Sequence, residues 1–266
     1  LEVATERQEE LDSLNEMYCN VQQDIDTAMH FDRRLFEKTR EDEDFLHIYL
    51  GQGTIASSRP IDYKKQEQLE VGDELTEMPE KIYQLFEHID GAPICSDMKD
   101  SNAIGIVGTK EALYGMFKNI VIDIAVRHYY GDVRLYMLVD DEKRYQWARF
   151  LPHLMNAGGI RNIVFDNESK NNIFESLFRE LTYREQTEEI PYYGIVLVEN
   201  EFGIKNHPIS RYIEQASELG MTFVFFENSA EELPLHCDEI IELHSESEGV
   251  ICKAEDGNQI KQFEYH

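Results

Sequence analysis

From about residue 93 onward the chain alternates short apolar runs with stretches of helical periodicity, and this rhythm restricts the fold more than any other feature. The runs are Ala103 to Val107, Val133 to Val139, Asn162 to Phe165, Gly194 to Val198 and Thr222 to Phe226, with shorter ones at Glu239 to Leu243 and Gly249 to Cys252. Most are near-continuous in Val, Ile, Leu and Phe, as strands covered on both faces are. Between them lie helical patterns. The clearest runs from Lys110 to about Tyr129 and carries Leu113, Met116, Phe117, Ile120, Val121, Ile124 and Ala125. Others are Glu168 to Tyr183, with Ile173, Leu177 and Leu181, and Pro208 to Leu219, with Ile209, Tyr212, Ile213 and Ala216. Strands separated by helices are joined by crossovers, so the expected fold is a doubly wound α/β domain with a mainly parallel sheet.

The first 44 residues differ. Leu11, Leu14, Tyr18, Val21, Ile25 and Ala28 follow in steps of three and four, which keeps them on one stripe of a helix. Asp12, Glu16, Gln22, Gln23, Asp24 and Asp26 stand between them and are expected to face water. This amphipathic arm either pairs with another helix through its heptad-like stripe or packs back on its own domain. A polar stretch, Arg33 to Asp44, leads into residues 45–266, the expected α/β body. Phe45 to Leu50, then Gly51-Gln52-Gly53 and a second extended run through Ile55, read as a strand, a turn and a strand, hence a small β element. An acidic helix follows, with Leu75, Met78, Ile82, Leu85, Phe86 and Ile89 at helical spacing and Gly91 placed to end it.

Charge excludes whole classes of partner. With 25 Lys and Arg against 53 Asp and Glu, the formal net charge is −28. Binding driven by neutralising nucleic-acid phosphates, or by docking on anionic lipid, is not expected of such a surface. A hydrophobic content of 42% is enough to build a core despite that charge. No run approaches the ~18 apolar residues a bilayer span requires, and no secretory signal pattern is present. The sequence starts at Leu1, which reads as a processed chain or an excised fragment. Cys19, Cys95, Cys237 and Cys252 form no CxxC pair, so neither a zinc ribbon nor a disulfide framework is indicated, and a reducing compartment fits.

In doubly wound sheets ligands bind beyond the carboxyl ends of the strands. The first strand-to-helix turn reads Gly105-Ile106-Val107-Gly108-Thr109-Lys110-Glu111-Ala112, the layout of a phosphate loop. Its spelling departs from GxxxxGK[ST]: from Gly108 the closing positions are Leu113-Tyr114-Gly115, and from Gly105 they are Lys110-Glu111-Ala112. Glu111 adds a carboxylate where triphosphate charge would sit. The acidic strand end that holds magnesium in such enzymes is Glu199-Asn200, after Tyr193 to Val198, where a working motor has Asp-Glu. Gly105, Gly108, Thr109, Lys110, Glu199 and Asn200 are therefore the candidate nucleotide residues of a degenerate site. Leu11, Leu14, Tyr18, Val21, Ile25 and Trp147 are the candidate interaction residues, although core packing is the default for a lone tryptophan.

Arg34-Leu35-Phe36-Glu37, Asp44-Phe45-Leu46, Leu50-Gly51-Gln52-Gly53, Gly105-Ile106-Val107-Gly108 and Trp147-Ala148-Arg149-Phe150-Leu151-Pro152-His153 occur in that order. From Arg33 onward the chain resembles the segment after the membrane anchor in the EssC/YukB (EccC-like) ATPases of type VII secretion systems, in the FtsK/SpoIIIE superfamily. The resemblance implies a degenerate P-loop NTPase-like domain, the first ATPase-like unit of the cytoplasmic part, preceded by a juxtamembrane arm over residues 1–44. It further implies a non-hydrolysing module at the cytoplasmic face of the bacterial membrane, coupling the membrane portion to downstream motors. Those motors export small helical WXG-type proteins. ATP and magnesium are then expected only in the downstream domains, and a hexamer or other oligomer only in the full-length protein. Partners are other domains and subunits of the machine, with secreted proteins met indirectly. Two rival readings are a nucleotide-binding sensor without turnover, built on the Gly108 turn and Lys110, and a DNA-translocase-like module, which the charge opposes.

Elsewhere the signals are weaker. His236-Cys237-Asp238-Glu239 offers four potential ligands, but neighbours along a strand face opposite ways, so no metal site is expected. His207 and His244 have no nucleophile partner, and Ser57-Ser58 and Ser245-Glu246-Ser247-Glu248 lack a Gly-x-Ser-x-Gly elbow. Asp140-Asp141-Glu142 reads as a solvated acidic turn.

Overall fold

A computed structural model describes residues 2–59, 74–200, 203–233 and 236–266. The parallel half of the fold follows the sequence rhythm. Strands β3 (Ala103–Val107), β4 (Val133–Leu138), β5 (Ile163–Val164), β6 (Tyr193–Glu199), β7 (Met221–Glu227) and β8 (Glu239–Leu243) lie in the order β8-β3-β7-β6-β4-β5, every neighbouring pair parallel. Helix α4 (Lys110–Arg127) covers one face and α6 (Asn167–Thr187) with α7 (Ser210–Ile213) the other. Strand pleating explains the double coverage. Along β6, Ile195 and Leu197 enter the core with Phe117, Ile120 and Ile124 of α4, while Val196 and Val198 enter the core with Phe174, Leu177 and Tyr212.

Among the described residues the sheet has ten strands, because the small β element is a wing of the same sheet. Strands β1 (His47–Ala56), β2 (His88–Asp97), β9 (Glu248–Lys253) and β10 (Ile260–Glu264) continue from β8 in the order β8-β9-β10-β1-β2, all antiparallel. Five of the nine strand pairs are thus parallel. Gly51-Gln52-Gly53 is not a turn: both glycines lie inside β1, whose register shifts beside each of them. A Cβ at Gly51 would stand 2.2 Å from the Glu264 carbonyl oxygen, and one at Gly53 2.2 Å from that of Gln262, so glycine is needed there for close strand approach.

Two helical expectations and the placement of Trp147 also change. Helix α3 (Glu74–Phe86) stops before Gly91, which sits in β2 at φ 71, while Ile89 is a buried strand residue; the side chain of Leu75 lies outside the described residues. Pro208 to Leu219 is not one helix but α7 flanked by short 3-10 turns at Ile204–Asn206 and Ser217–Leu219. Trp147 sits beyond the four-residue α5 (Glu142–Tyr145), in a 3-10 turn over Gln146–Phe150, and is partly exposed instead of being a core residue.

The N-terminal arm is two helices, α1 (Glu2–Met17) and α2 (Val21–His30). Asn20 restarts the helix through a capping box: its side chain accepts the Gln23 N–H at 2.9 Å while the Gln23 side chain accepts the Asn20 N–H. Helix α2 packs on α4 and α1 on β2, so the arm folds back on the body. Buried Glu10 fixes α1 there, accepting from Ser58 N–H at 2.7 Å and from the hydroxyls of Ser57 and Ser58 at 2.6 Å each.

Candidate functional site

The crevice at the carboxyl ends of the parallel strands is where a nucleotide would enter. Between β3 and α4 only Gly108 and Thr109 intervene. The Gly108 N–H donates to the Glu227 carbonyl at 3.2 Å, and a Cβ on Gly108 would lie 2.9 Å from Leu243 Cβ. Thr109 caps α4, its Oγ1 accepting the Ala112 N–H at 3.4 Å. Gly105 is buried in mid-strand, where a Cβ would come within 2.6 Å of Leu233 Cδ1. Both glycines therefore serve close packing, and the two-residue turn is shorter than a GxxxxGK[ST] loop.

The charges around the turn are committed to one another. Lys110 is exposed, and its carbonyl accepts from Arg144 at 3.5 Å. Arg144 pairs with Glu111 at 2.8 Å and lies 4.1 Å over the Tyr114 ring. At the β6 end, Glu199 accepts the Asp140 N–H at 2.9 Å and the Tyr145 hydroxyl at 2.5 Å. Burial, reinforced by the Glu199 contact, pushes the Tyr145 phenol upward and keeps it a neutral donor. Asn200, in the left-handed region at φ 56, donates to Asp140, which also receives Lys170, itself 1% exposed. Strand β7, ending in buried Glu227, separates β3 from β6, so Glu199 and the glycine turn are not on adjacent strands.

A second cluster lies at the other end of α4, and several of the motifs quoted above converge there. Arg127 donates to Cys19 Sγ at 2.8 Å and to the Met17 carbonyl at 3.2 Å, pairs with Glu37, and stands 3.9 Å from Asp24 of α2. Asp123, one turn earlier, accepts the Tyr49 N–H of β1 at 3.0 Å. Phe36 N–H donates to the Val126 carbonyl, Lys38 N–H to that of Arg127, and the Lys38 ammonium to Asp44. His128 Nε2 accepts the Leu46 N–H at 3.0 Å, while His153 of the Leu-Pro-His segment donates from Nε2 to the His128 carbonyl at 2.7 Å. These residues hold arm, β1 and α4 together; they form no catalytic constellation.

Burial dominates the titration of this cluster. Asp24 and Asp123 are both raised, chiefly by desolvation, and for Asp24 next by the charge of Asp123, so the pair retains proton where exposed carboxylates would not. Desolvation lowers His128 to about 3, which leaves its imidazole neutral and free to accept from Leu46. Sequence reading missed Asp24, Asp123, Arg127, His128, Tyr145 and Lys170. The available signal was Asp123 and Arg127 at i and i+4 within the otherwise apolar run Ile120 to Arg127 of the helix.

The other candidates scatter. Leu11, Leu14, Tyr18, Val21 and Ile25 are all half-buried in the folded-back arm, and Tyr18 stacks on His47 with its hydroxyl 3.3 Å from Nδ1. Within His236 to Glu239, Cys237 enters the core under α7, Asp238 accepts the Asn102 N–H at 2.7 Å, and Glu239 accepts from Ser96 and pairs with Lys253. Among the described residues no group of three or more His, Cys, Asp or Glu could hold a metal ion, and no helix is long and apolar enough to cross a membrane.

No family model matches the chain. The type VII secretion system protein EssC of Staphylococcus aureus (strain MSSA476) is 29% identical over 265 residues, covering 94% of this chain and 18% of that protein. The ESX secretion system protein EccC of Geobacillus thermodenitrificans is 25% identical over 266 residues, covering 92% and 18%. The chain thus spans about a fifth of the length of these curated relatives. Among solved structures, EssC (ATPases 2 and 3) from Geobacillus thermodenitrificans superposes with a TM-score of 0.57 at 12% identity, over 87% of this chain and 46% of that one. EccC (ATPases 2 and 3) of Thermomonospora curvata, solved with a signal sequence peptide, gives 0.53 at 10% identity over 66% and 39%. The homologues of this chain are type VII secretion ATPases, and its fold is that of their P-loop NTPase-like ATPase domains.

Proposed function

We propose that this chain is a non-hydrolysing, ATPase-like module of a type VII secretion motor, held at the cytoplasmic face of the membrane, that works by contact between the membrane portion and downstream motor domains. One observation carries the reading: the turn that would cradle triphosphate is two residues long, with the Gly108 amide spent on Glu227 and Thr109 spent on the helix cap. Charge points the same way. Arg144 and Lys170 are already paired with Glu111 and Asp140. A carboxylate about 6 Å from a phosphate charge, at an effective dielectric near 20, opposes it by roughly 3 kcal/mol. The names of the relatives support the type VII secretion setting; export of small helical WXG-type proteins, an oligomeric full-length assembly, and ATP with magnesium confined to other domains complete the proposal.

Isothermal titration of the chain with ATP and magnesium tests this directly. No heat of binding and no phosphate release are expected; micromolar binding with turnover removes the proposal. The exposed Lys110 at the start of α4 favours a second reading, a sensor that binds nucleotide without cleaving it. Its mark is an ATP-induced thermal shift that Lys110→Glu abolishes.

A further inference from the structure

We propose that the connection between β4 and β5 is a docking surface for an extended, acidic polypeptide segment carrying apolar side chains, bound beside the open edge of β5. Large apolar groups are concentrated there: Phe150 is 79% exposed, Ile160 66%, and Trp147 and Met155 36% each. They form one patch. In the 3-10 turn Gln146–Phe150, residues three apart eclipse, so Trp147 and Phe150 share a face. The guanidinium groups of Arg149 and Arg161 each lie 5.9 Å from the Phe150 ring centre, and a β-bridge sets Met155 beside Arg161. Exposed aromatics, Met and Arg together have the composition of an interface core, unlike average protein surface.

The charge of the patch selects the occupant. In a chain with 53 acidic residues against 25 basic ones, Arg149 and Arg161 make no ion pair among the described residues and rest on a ring. Two such planar forks, held a ring apart, fit carboxylates on a partner strand. The net charge of −28 repels an acidic partner at long range, but that repulsion is screened beyond roughly 8 Å at physiological ionic strength, so the local guanidinium pair decides. Beside it opens a cleft of about 150 Å³, lined by Glu142, Gln146, Arg149, Arg161, Ile163 and Phe165, room for one aliphatic side chain of the segment. Among the described residues, strand β5 is the last of the sheet and pairs only with β4, so its outer backbone edge is available to a guest. With two residues in β5 the ladder is short, so aromatic anchors and charge pairs carry the affinity.

Trp147 is the sole tryptophan and reports on the patch directly. The probe is a peptide of about ten residues alternating glutamate with leucine and phenylalanine, titrated against the full chain while indole emission is followed, with a lysine-for-glutamate version as control. A saturable change is expected with the glutamate peptide only. The double variant Arg149→Glu, Arg161→Glu, whose melting is expected to match the parent because both sites are exposed, should weaken that binding roughly tenfold and bind the lysine peptide instead. Phe150→Ala should weaken both. Three outcomes overturn the proposal: no emission change up to about 1 mM glutamate peptide, equal response to the two peptides, or glutamate-peptide binding unaltered by the charge reversal.

Discussion

Replacing Arg127 with methionine removes the guanidinium that joins the arm to α4 while keeping most of the buried aliphatic volume. Its side chain is 3% exposed and serves Glu37, Met17, Cys19 and Asp24 at once. Breaking a buried ion pair from one side usually costs about 3–5 kcal/mol, because the remaining charge is left uncompensated. Here two features reduce the cost. Glu37 is 27% exposed at its side chain and can hydrate, and Asp24, already pushed upward by burial and by Asp123, can keep a proton instead of a bare charge. The lost hydrogen bonds to Met17 and Cys19 then dominate, and about 2–3 kcal/mol is expected. For a chain of this size that lowers Tm by roughly 5–10 °C. Denaturant melts at neutral pH measure the total, and amide exchange locates it: α1 and α2 should lose protection while β3, β6 and β7 keep theirs. Asp24→Asn should cost less than about 0.5 kcal/mol, since it mimics a carboxyl that is already protonated. An Asp24→Asn penalty as large as that of Arg127→Met, or an arm that stays protected without Arg127, would refute the reasoning.

Two further outcomes follow from the same geometry. Because Asp24 and Asp123 hold protons more tightly folded than unfolded, the folded chain binds more protons than the unfolded one above the ordinary carboxyl range near pH 4. Their contribution to stability is complete below that range and is lost as pH rises, whereas His128 and His153, lowered by burial, give the opposite slope up to the ordinary histidine range; Tm should therefore fall with pH above about 7, where Asp24, raised to about 9, still holds its proton, and Asp24→Asn should flatten that slope. Gly51→Ala places a methyl 2.2 Å from the Glu264 carbonyl oxygen, a backbone atom that cannot move aside alone, and should cost about 1–3 kcal/mol with exchange accelerated first in β1 and β10.

The parallel half of the fold was legible because it is written in local pattern. Buried parallel strands must be apolar on both faces, and α4 and α6 carry their stripe over enough turns to be read with nearly correct ends. The wing was not. Strand β2 has helical spacing up to Ile89, and Gly51 and Gly53 look like turn residues until the partner strand β10 is known to press on them. Pairing partners more than 200 residues away leave no trace in a local window. The break in the arm did have a signal, the Asn20 and Gln23 capping box, outweighed by a stripe that runs through it. At the nucleotide candidates, motif spelling showed a departure from GxxxxGK[ST] but not the setting of the turn: the Gly108 N–H is bonded to the carbonyl of Glu227, a residue on a strand that no motif flagged.

The two ends of α4 give those motif departures a mechanical sense. In a working P-loop enzyme the helix after the glycine turn begins at the phosphates, so its position follows the nucleotide state. Here the N-terminal end of α4 is sealed by its own cap and by Arg144 bound to Glu111, and its C-terminal end is tied to the arm through Arg127 and to β1 and the residue before it through Asp123 and His128. An 18-residue helix spans about 27 Å, so the two tied ends lie far apart. A helix held at both ends by its own protein cannot follow a ligand at one of them, but it can hold an arm and a sheet in fixed relation while force passes between them. On the proposed non-hydrolysing reading, the sealed turn and the buried charge cluster act together, making α4 a helix that braces. A variant that loosens the cluster without touching the crevice, Arg127→Met, should on this view disturb coupling to the arm and leave the chain's response to ATP unchanged.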